Sequence, residues 1–173
     1  MRSRVIYLLL AVAITLSLVI TGCGKLAEKA SEKAAEKAIE DASGGKADVE
    51  LSKDKLEVKT DGGSVKVGDS NEWPKQMPAD VPKFTYGKIT SVAESTAAQG
   101  NNIIVGIENA SAESFDEYKS DLESAGWKID MTSRTEDGFT VNASKEKRQV
   151  VAVFNSSGGE GLSGGVTYVE LKQ

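Results

Sequence analysis

Hydrophobic and polar residues follow three different patterns along the 173-residue chain. Residues 5–20 are almost continuously apolar, residues 25–42 repeat a four-residue unit of Ala, Glu and Lys, and from residue 47 onward short stretches alternate apolar and polar side chains. Alternation with a period of two is typical of half-buried β-strands, whereas a run of strong helix formers favours a helix. The pattern therefore predicts an apolar N-terminal segment, a helix and a long remainder rich in strands.

The repeat at 25–42 predicts an exposed α-helix about 27 Å long, at ~1.5 Å per residue. Its apolar stripe is nearly all alanine, so a semi-rigid spacer is favoured over a coiled-coil or partner helix. Three short alternating stretches follow, and they predict a small antiparallel β-meander. They lie at 49–51, 56–58 and 65–67. Three short strands are only marginally stable alone, so the meander should dock on another surface.

All three prolines lie between residues 71 and 83, where they force extended chain and exclude helix. We place the start of the main domain after this linker. Residues 84–173 predict one helix and several further strands. The strands are expected at 84–93, 102–108, 127–132, 139–144, 149–154 and 166–171, and the helix at 112–125.

The helix at 112–125 has a clear apolar face formed by Phe115, Tyr118 and Leu122. Gly126 and Trp127 follow it as a glycine-terminated Schellman ending requires. We therefore predict that these apolar residues form the core of the main domain. One helix packed on an antiparallel sheet of five or six strands, preceded by a small β-meander and a helical spacer, makes the predicted fold class α+β.

Part of the predicted sheet is apolar on both faces, notably at 150–154 and at 103–104. Ile129 and Met131, by contrast, are expected to share one face of a strand whose other face is polar. A contiguous apolar patch of more than a few hundred Å² is seldom left bare. We expect the meander at 49–67 to cover the second face, with a partner protein, a second copy or an apolar ligand as the alternatives.

Composition narrows the chemistry that the chain can perform. It contains no histidine, which excludes Ser-His-Asp and Cys-His catalysis and histidine metal sites. The formal net charge of −5 disfavours a nucleic-acid partner, because phosphate binding needs a basic patch. The spelling Gly-x-Gly-x-x-Gly at 159–164 lacks the following helix of a dinucleotide loop, and the oxygens at 69–72 do not keep a calcium register. We predict no catalytic, cofactor-binding or metal-binding residue.

The N-terminus has the three parts of a signal peptide: the basic residues Arg2 and Arg4, the apolar run, and small residues before Cys23, the only cysteine. The run is shorter than the ~20 residues that span a bilayer. The sequence Ile-Thr-Gly-Cys at 20–23 resembles the lipobox of bacterial lipoproteins. The resemblance implies that Cys23 carries a diacylglyceryl group and becomes the mature N-terminus, which changes the net charge from −5 to −7 through the loss of two arginines.

The mature region also resembles a family of bacterial lipoproteins of uncharacterised function. The features that carry this resemblance are the lipobox, the Ala-Glu-Lys repeat, Trp73-Pro74, Val-Pro-Lys at 81–83 and Leu-Glu-Ser-Ala-Gly-Trp at 122–127. The resemblance implies a lipid-anchored protein on the extracytoplasmic side of the bacterial cell membrane, or on the outer membrane where the host has one. It implies no activity.

These observations favour a non-enzymatic binding or interaction module of the bacterial cell envelope. The expected partners are the membrane, through Cys23, and an envelope protein or apolar ligand, without nucleic acid or cofactor. The alternative is an envelope hydrolase that uses paired carboxylates or a Ser/Lys pair, and a third option is a purely structural component of the envelope. The predicted divisions are a signal peptide at 1–22, a lipidated N-terminus and helical spacer at 23–46, a β-meander at 47–70, a proline-containing linker at 71–83 and an α+β domain at 84–173.

Overall fold

The computed structural model describes residues 25–42, 47–98, 100–156 and 161–171. These residues form two helices and nine strands. In chain order the elements are α1 (Lys25–Ala42), β1 (Ala47–Ser52), β2 (Lys55–Thr60), β3 (Gly63–Asp69), β4 (Lys88–Ala97), β5 (Gly100–Ala110), α2 (Ser114–Ser124), β6 (Lys128–Thr135), β7 (Gly138–Lys145), β8 (Arg148–Ser156) and β9 (Leu162–Leu171).

The predicted α+β class is wrong, because the described chain is mostly β. Its strands belong to one nine-stranded sheet with the order β1-β2-β3-β4-β5-β9-β8-β7-β6, in place of a five- or six-stranded sheet with a separate meander. Each strand was anticipated within a few residues, but the strands of the meander were not assigned to the same sheet. The packed helix α2 lies mainly against β6 and β7, so it covers only part of the sheet.

The chain divides into two compact units, the first ending at Ser64 and the second starting at Val65. In the first unit, β1 and β2 form an antiparallel hairpin in which Val49 pairs with Val58. The helix α1 has the predicted bounds and packs against β1. Glu36 Oε1 accepts a hydrogen bond from the Leu51 N–H at 2.7 Å. This contact satisfies a backbone donor on the open edge of β1, so α1 is not exposed on all sides as the spacer interpretation expected.

In the second unit, the chain runs from the hairpin β4-β5 through α2 into a meander β6-β7-β8-β9, and β9 returns to pair with β5. One face of this sheet is buried and forms the core. Its strand residues are Ile103, Val105, Ile107, Phe139, Val141, Ala143, Val150, Ala152, Phe154, Val166 and Tyr168. The alternate residues of the same strands point to the opposite face.

The helix α2 covers part of the core face with the residues that the sequence predicted. Tyr118 and Leu122 are fully buried, and Phe115 and Trp127 are 9% and 3% exposed. The Trp127 N–H donates to Leu122 O at 2.9 Å and the Gly126 N–H donates to Glu123 O at 3.0 Å, while Gly126 has φ +80°. These are the two hydrogen bonds of a Schellman ending, so the predicted C-terminus is confirmed.

The rest of the core face is covered by irregular chain, here called the proline segment (residues 70–87). Met77, Val81 and Phe84 are 6%, 2% and 2% exposed within the same core cluster. The Phe84 ring stacks on the Phe154 ring with centroids 4.6 Å apart. Because this segment has no regular structure but supplies large apolar side chains, it takes the place that a second helix would have in an α+β domain.

The strand β6 departs from the predicted alternation. The register between β6 and β7 shifts between Ile129 and Met131, which is the signature of a β-bulge. Ile129 packs against the core, but Met131 pairs with Asn142 and is 55% exposed. The prediction that Ile129 and Met131 share one face is therefore wrong, because the extra residue at the bulge reverses every side chain after it.

Candidate functional site

The predicted site residue Cys23 lies outside the described residues, as does the apolar run before it. Lipidation at Cys23 remains a prediction. Neither α1 nor α2 is long and apolar enough to cross a membrane. Across residues 25–42, 47–98, 100–156 and 161–171, no three acidic or cysteine side chains gather in a way that could hold a metal ion.

The most distinctive surface of the second unit is the sheet face opposite the core, here called the open face. It is built from the outward residues of six adjacent strands, which the strand registers place side by side. Its residues are Ser91, Ala93 and Ser95 on β4, Asn102, Ile104 and Gly106 on β5, Gly165, Thr167 and Val169 on β9, Gln149, Val151 and Val153 on β8, Thr140, Asn142 and Ser144 on β7, and Met131 and Ser133 on β6.

The centre of the open face is apolar, as the sequence predicted from the doubly apolar strands. Ile104 and Val153 are 41% and 40% exposed. Both side chains are therefore exposed, and covering of this face by the meander stays a prediction. Small polar residues surround them, and Gln149 Nε2 donates to Asn142 Oδ1 at 3.0 Å. The result is a sheet face of short side chains with a small apolar centre.

Among the described strand residues, the charged side chains of this face lie at its margins. They occur there in pairs of opposite charge. Lys88 is directly across from Glu108 at one corner. At another corner Lys128 Nζ lies 3.0 Å from Asp130 Oδ1. A hydrogen bond from the Ser144 hydroxyl and the nearby Lys128 lower the pKa of Asp130, so its carboxylate is ionised at neutral pH. Two positive and two negative groups leave the face with no net charge.

The other side of the second unit carries a shallow acidic depression beside α2. A hydrolase with paired carboxylates would need two acids in such a place. It is lined by Tyr86, Asp116, Glu117, Ser120 and Asp121. Tyr86 Oη donates to Asp121 Oδ2 at 2.6 Å, and burial followed by this hydrogen bond raises the pKa of Tyr86 to about 12. A tyrosine with this pKa stays protonated near neutral pH, so it acts here as a hydrogen-bond donor.

Asp116 in the same depression is also engaged within the chain. Its Oδ2 lies 2.7 Å from Arg134 Nη1, and the Arg134 guanidinium lies over the Phe115 ring at 5.3 Å. Two of the three carboxylates therefore hold neighbouring elements together. Hydrolysis of a glycoside needs two acids that flank a substrate cleft at a fixed separation. The depression beside α2 is open to solvent, and its third carboxylate is that of Glu117.

A second cluster joins the proline segment to the sheet through Asp80. Its carboxylate accepts a two-point hydrogen bond from Arg148, at 2.8 Å and 3.0 Å, and lies 2.9 Å from Lys145 Nζ. The hydrogen bond from Arg148 is the main cause that lowers the pKa of Asp80 to about 2, with Lys145 adding to it. Trp127 Nε1 donates to the Asp80 carbonyl at 2.6 Å. Asp80 is therefore an anchoring residue.

The cations of this cluster have further contacts. Arg148 lies over the Trp127 ring at 5.3 Å, and Lys145 Nζ donates to the Ala125 carbonyl at the end of α2 at 2.9 Å. Lysine at a helix C-terminus is favoured by the helix dipole. Tyr168 Oη is buried beside Arg148, and burial raises the pKa of Tyr168. Sequence reasoning did not find this cluster, because its members are separated by up to 68 positions and have no local motif.

Comparisons of this chain with protein-family models, with curated proteins and with solved structures find no match. The open face and the N-terminal sequence are therefore the features of this chain that point to a function.

Proposed function

We propose that this protein is a lipid-anchored, extracytoplasmic interaction module of the bacterial cell envelope, and that the open face is its binding surface. The Ile-Thr-Gly-Cys sequence at 20–23 supports the anchor. The proposal of an interaction module, in preference to a hydrolase, rests on the organised surface of the second unit. That surface consists of short, uncharged side chains around Ile104 and Val153, which are 41% and 40% exposed.

The main support for a binding surface is the distribution of charge on the open face. Over a quarter of the residues in the chain are charged, yet the outward positions of β8 and the central positions of β5 and β9 on the open face carry none. Depletion of charge together with an apolar centre and a polar margin is the composition of the core of a protein interface. A sheet face that is exposed to solvent does not need to exclude charged side chains.

Site-specific photo-cross-linking in cells tests the binding surface. The photoreactive residue p-benzoylphenylalanine replaces Val153 in the full chain, expressed in a bacterium. A matched chain carries it at the exposed Ala112, in the turn between β5 and α2 and outside the strands of the open face. We expect a discrete cross-linked product from Val153 and none from Ala112. Equal labelling from both positions, or no product from Val153, would contradict the proposal.

The anchor has its own test, the substitution Cys23→Ala. Cells fed an alkyne-tagged fatty acid should label the unsubstituted protein and leave the variant unlabelled and uncleaved, because the cysteine thiol that accepts the diacylglyceryl group is missing. Fatty-acid label on the Cys23→Ala chain would refute anchoring at this residue. The anchor and the binding surface are separate parts of the proposal, so either result stands without the other.

A further inference from the structure

We infer that the open face binds a second copy of this chain, so that two sheets pack face to face in a symmetric dimer. This inference rests on the proposed function, since it names the partner of the same surface. Three properties of the face support it: its charge, its area and the size of its side chains.

The charge of the chain limits which surfaces two copies can share. Each copy has a net charge of −5, or −7 without Arg2 and Arg4, so two copies repel when acidic surfaces meet. The open face avoids this, because its marginal charges balance. In a twofold arrangement the same patch meets itself, and paired corners such as Lys128 with Asp130 present both signs to the other copy.

The area of the face matches that of a stable dimer. Six strands spaced ~4.8 Å apart give a width of about 29 Å, and the eight residues of the shortest strands, β6 and β7, give a length of about 26 Å at ~3.3 Å per residue. With its charged margins included, the face therefore covers roughly 760 Å², close to the ~800 Å² that each partner contributes to a standard protein interface. A single exposed apolar side chain on a sheet would provide a far smaller contact area.

The side chains permit close approach of two sheets. Gly106 and Gly165 lie next to each other on β5 and β9, and their row continues through Ser91 on one side and Val153 on the other. Short side chains of this kind suit the ~10 Å separation at which two sheets pack face to face. Large aromatic or long charged residues would keep the sheets apart, and the described centre of this face has none.

Native mass spectrometry of the purified full chain, released from detergent, tests the inference by counting copies. We expect two copies for the unsubstituted protein. Val153→Glu places like charges in the interface, and like-charge juxtaposition costs several kcal/mol, so the dimer dissociation constant should rise at least about tenfold. Ala112→Glu adds the same charge outside the face and should leave the dimer intact. Ile104→Lys is a second face variant, with unchanged far-UV circular dichroism as the check on folding.

A single copy at concentrations of tens of micromolar in the unsubstituted protein would overturn the inference. So would a dimer that survives both face variants in folded form. The product of photo-cross-linking at Val153 distinguishes this failure from failure of the proposed function. A product containing two copies of the chain supports the dimer, a product with a different protein refutes the dimer but keeps the interaction module, and no product refutes both.

Discussion

The substitution Asp80→Asn gives the sharpest test of how the proline segment is held on the sheet. It keeps the shape of the side chain and removes its charge. The amide side chain would retain one acceptor for Arg148, but it would lose the second carboxylate oxygen, which now faces both Arg148 and Lys145. We expect the variant to fold and to be less stable than the unsubstituted protein.

The magnitude follows from the lowered pKa of Asp80. A change from 3.8 to about 2 corresponds to an upper limit of roughly 2.4 kcal/mol, because one pKa unit is worth about 1.36 kcal/mol. The side chain is 33% exposed, and solvent screening reduces the contribution of partly exposed ion pairs. We therefore expect a loss of about 1–2 kcal/mol in the free energy of unfolding at pH 6.

The pH dependence has a defined sign. A carboxylate whose pKa is lower in the folded protein stabilises it above the unfolded pKa, and this stabilisation is lost as the pH falls through the folded value. The stability difference between the unsubstituted protein and Asp80→Asn should thus be complete above pH 5 and shrink as the pH falls from about 4 towards 2. Urea denaturation of both proteins at pH 6, 5, 4 and 3 measures it.

The control is Asp116→Asn, which removes a carboxylate that is 70% exposed and paired with Arg134. An exposed ion pair is worth about 0–1 kcal/mol, so this variant should differ little from the unsubstituted protein at any pH. A loss for Asp80→Asn that is no larger than for Asp116→Asn would refute the role of Asp80. So would a difference that does not change between pH 6 and pH 3.

Two further predictions concern α2 and its ending. Leu122→Ala should lower the free energy of unfolding by about 2–5 kcal/mol, because the side chain is fully buried and its loss leaves a cavity. Urea denaturation measures this, with Lys119→Ala on the same helix as the control. Equal losses of unfolding free energy in the two variants would contradict the prediction. Gly126→Ala should cost about 1 kcal/mol, because residue 126 has φ +80° and alanine enters this region with strain; a melting temperature unchanged from that of the unsubstituted protein would contradict it.

Much of the local structure was predictable because it depends on residues close in sequence. The bounds of α1, the buried face of α2 and its Schellman ending follow from helix propensity, periodicity and one glycine. The existence of each strand follows from alternation. The alternation does not show that all the strands belong to one sheet. Sheet membership depends on which strand pairs with which edge, and a hydrophobic pattern does not specify the neighbouring strand.

The candidate site was predictable in part. Doubly apolar stretches such as 150–154 correctly indicated that the second face has an apolar centre. The bulge in β6 was not predictable, since it inserts one residue without a glycine or proline to mark it. It moves Met131 onto the open face and leaves Ile129 in the core. The ion pair of Asp80 with Arg148 was also not predictable from the sequence. The chain has 26 acidic residues, and nothing near Asp80 in the sequence indicates which cation it would pair with.

The absence of charge from the described centre of the open face is not a requirement of strand formation. In the hairpin β1-β2 of the same chain, Glu57 lies 2.6 Å from Lys55 and 2.9 Å from Lys59, so strands here accept charged residues. Nor is it a lack of charged residues for exposed positions, because five of the eleven residues of α2 are charged. The fold of the strands alone therefore does not explain why these positions lack charge. The proposed contact with another uncharged surface would explain it, because a buried, unpaired charge at such a contact would be costly.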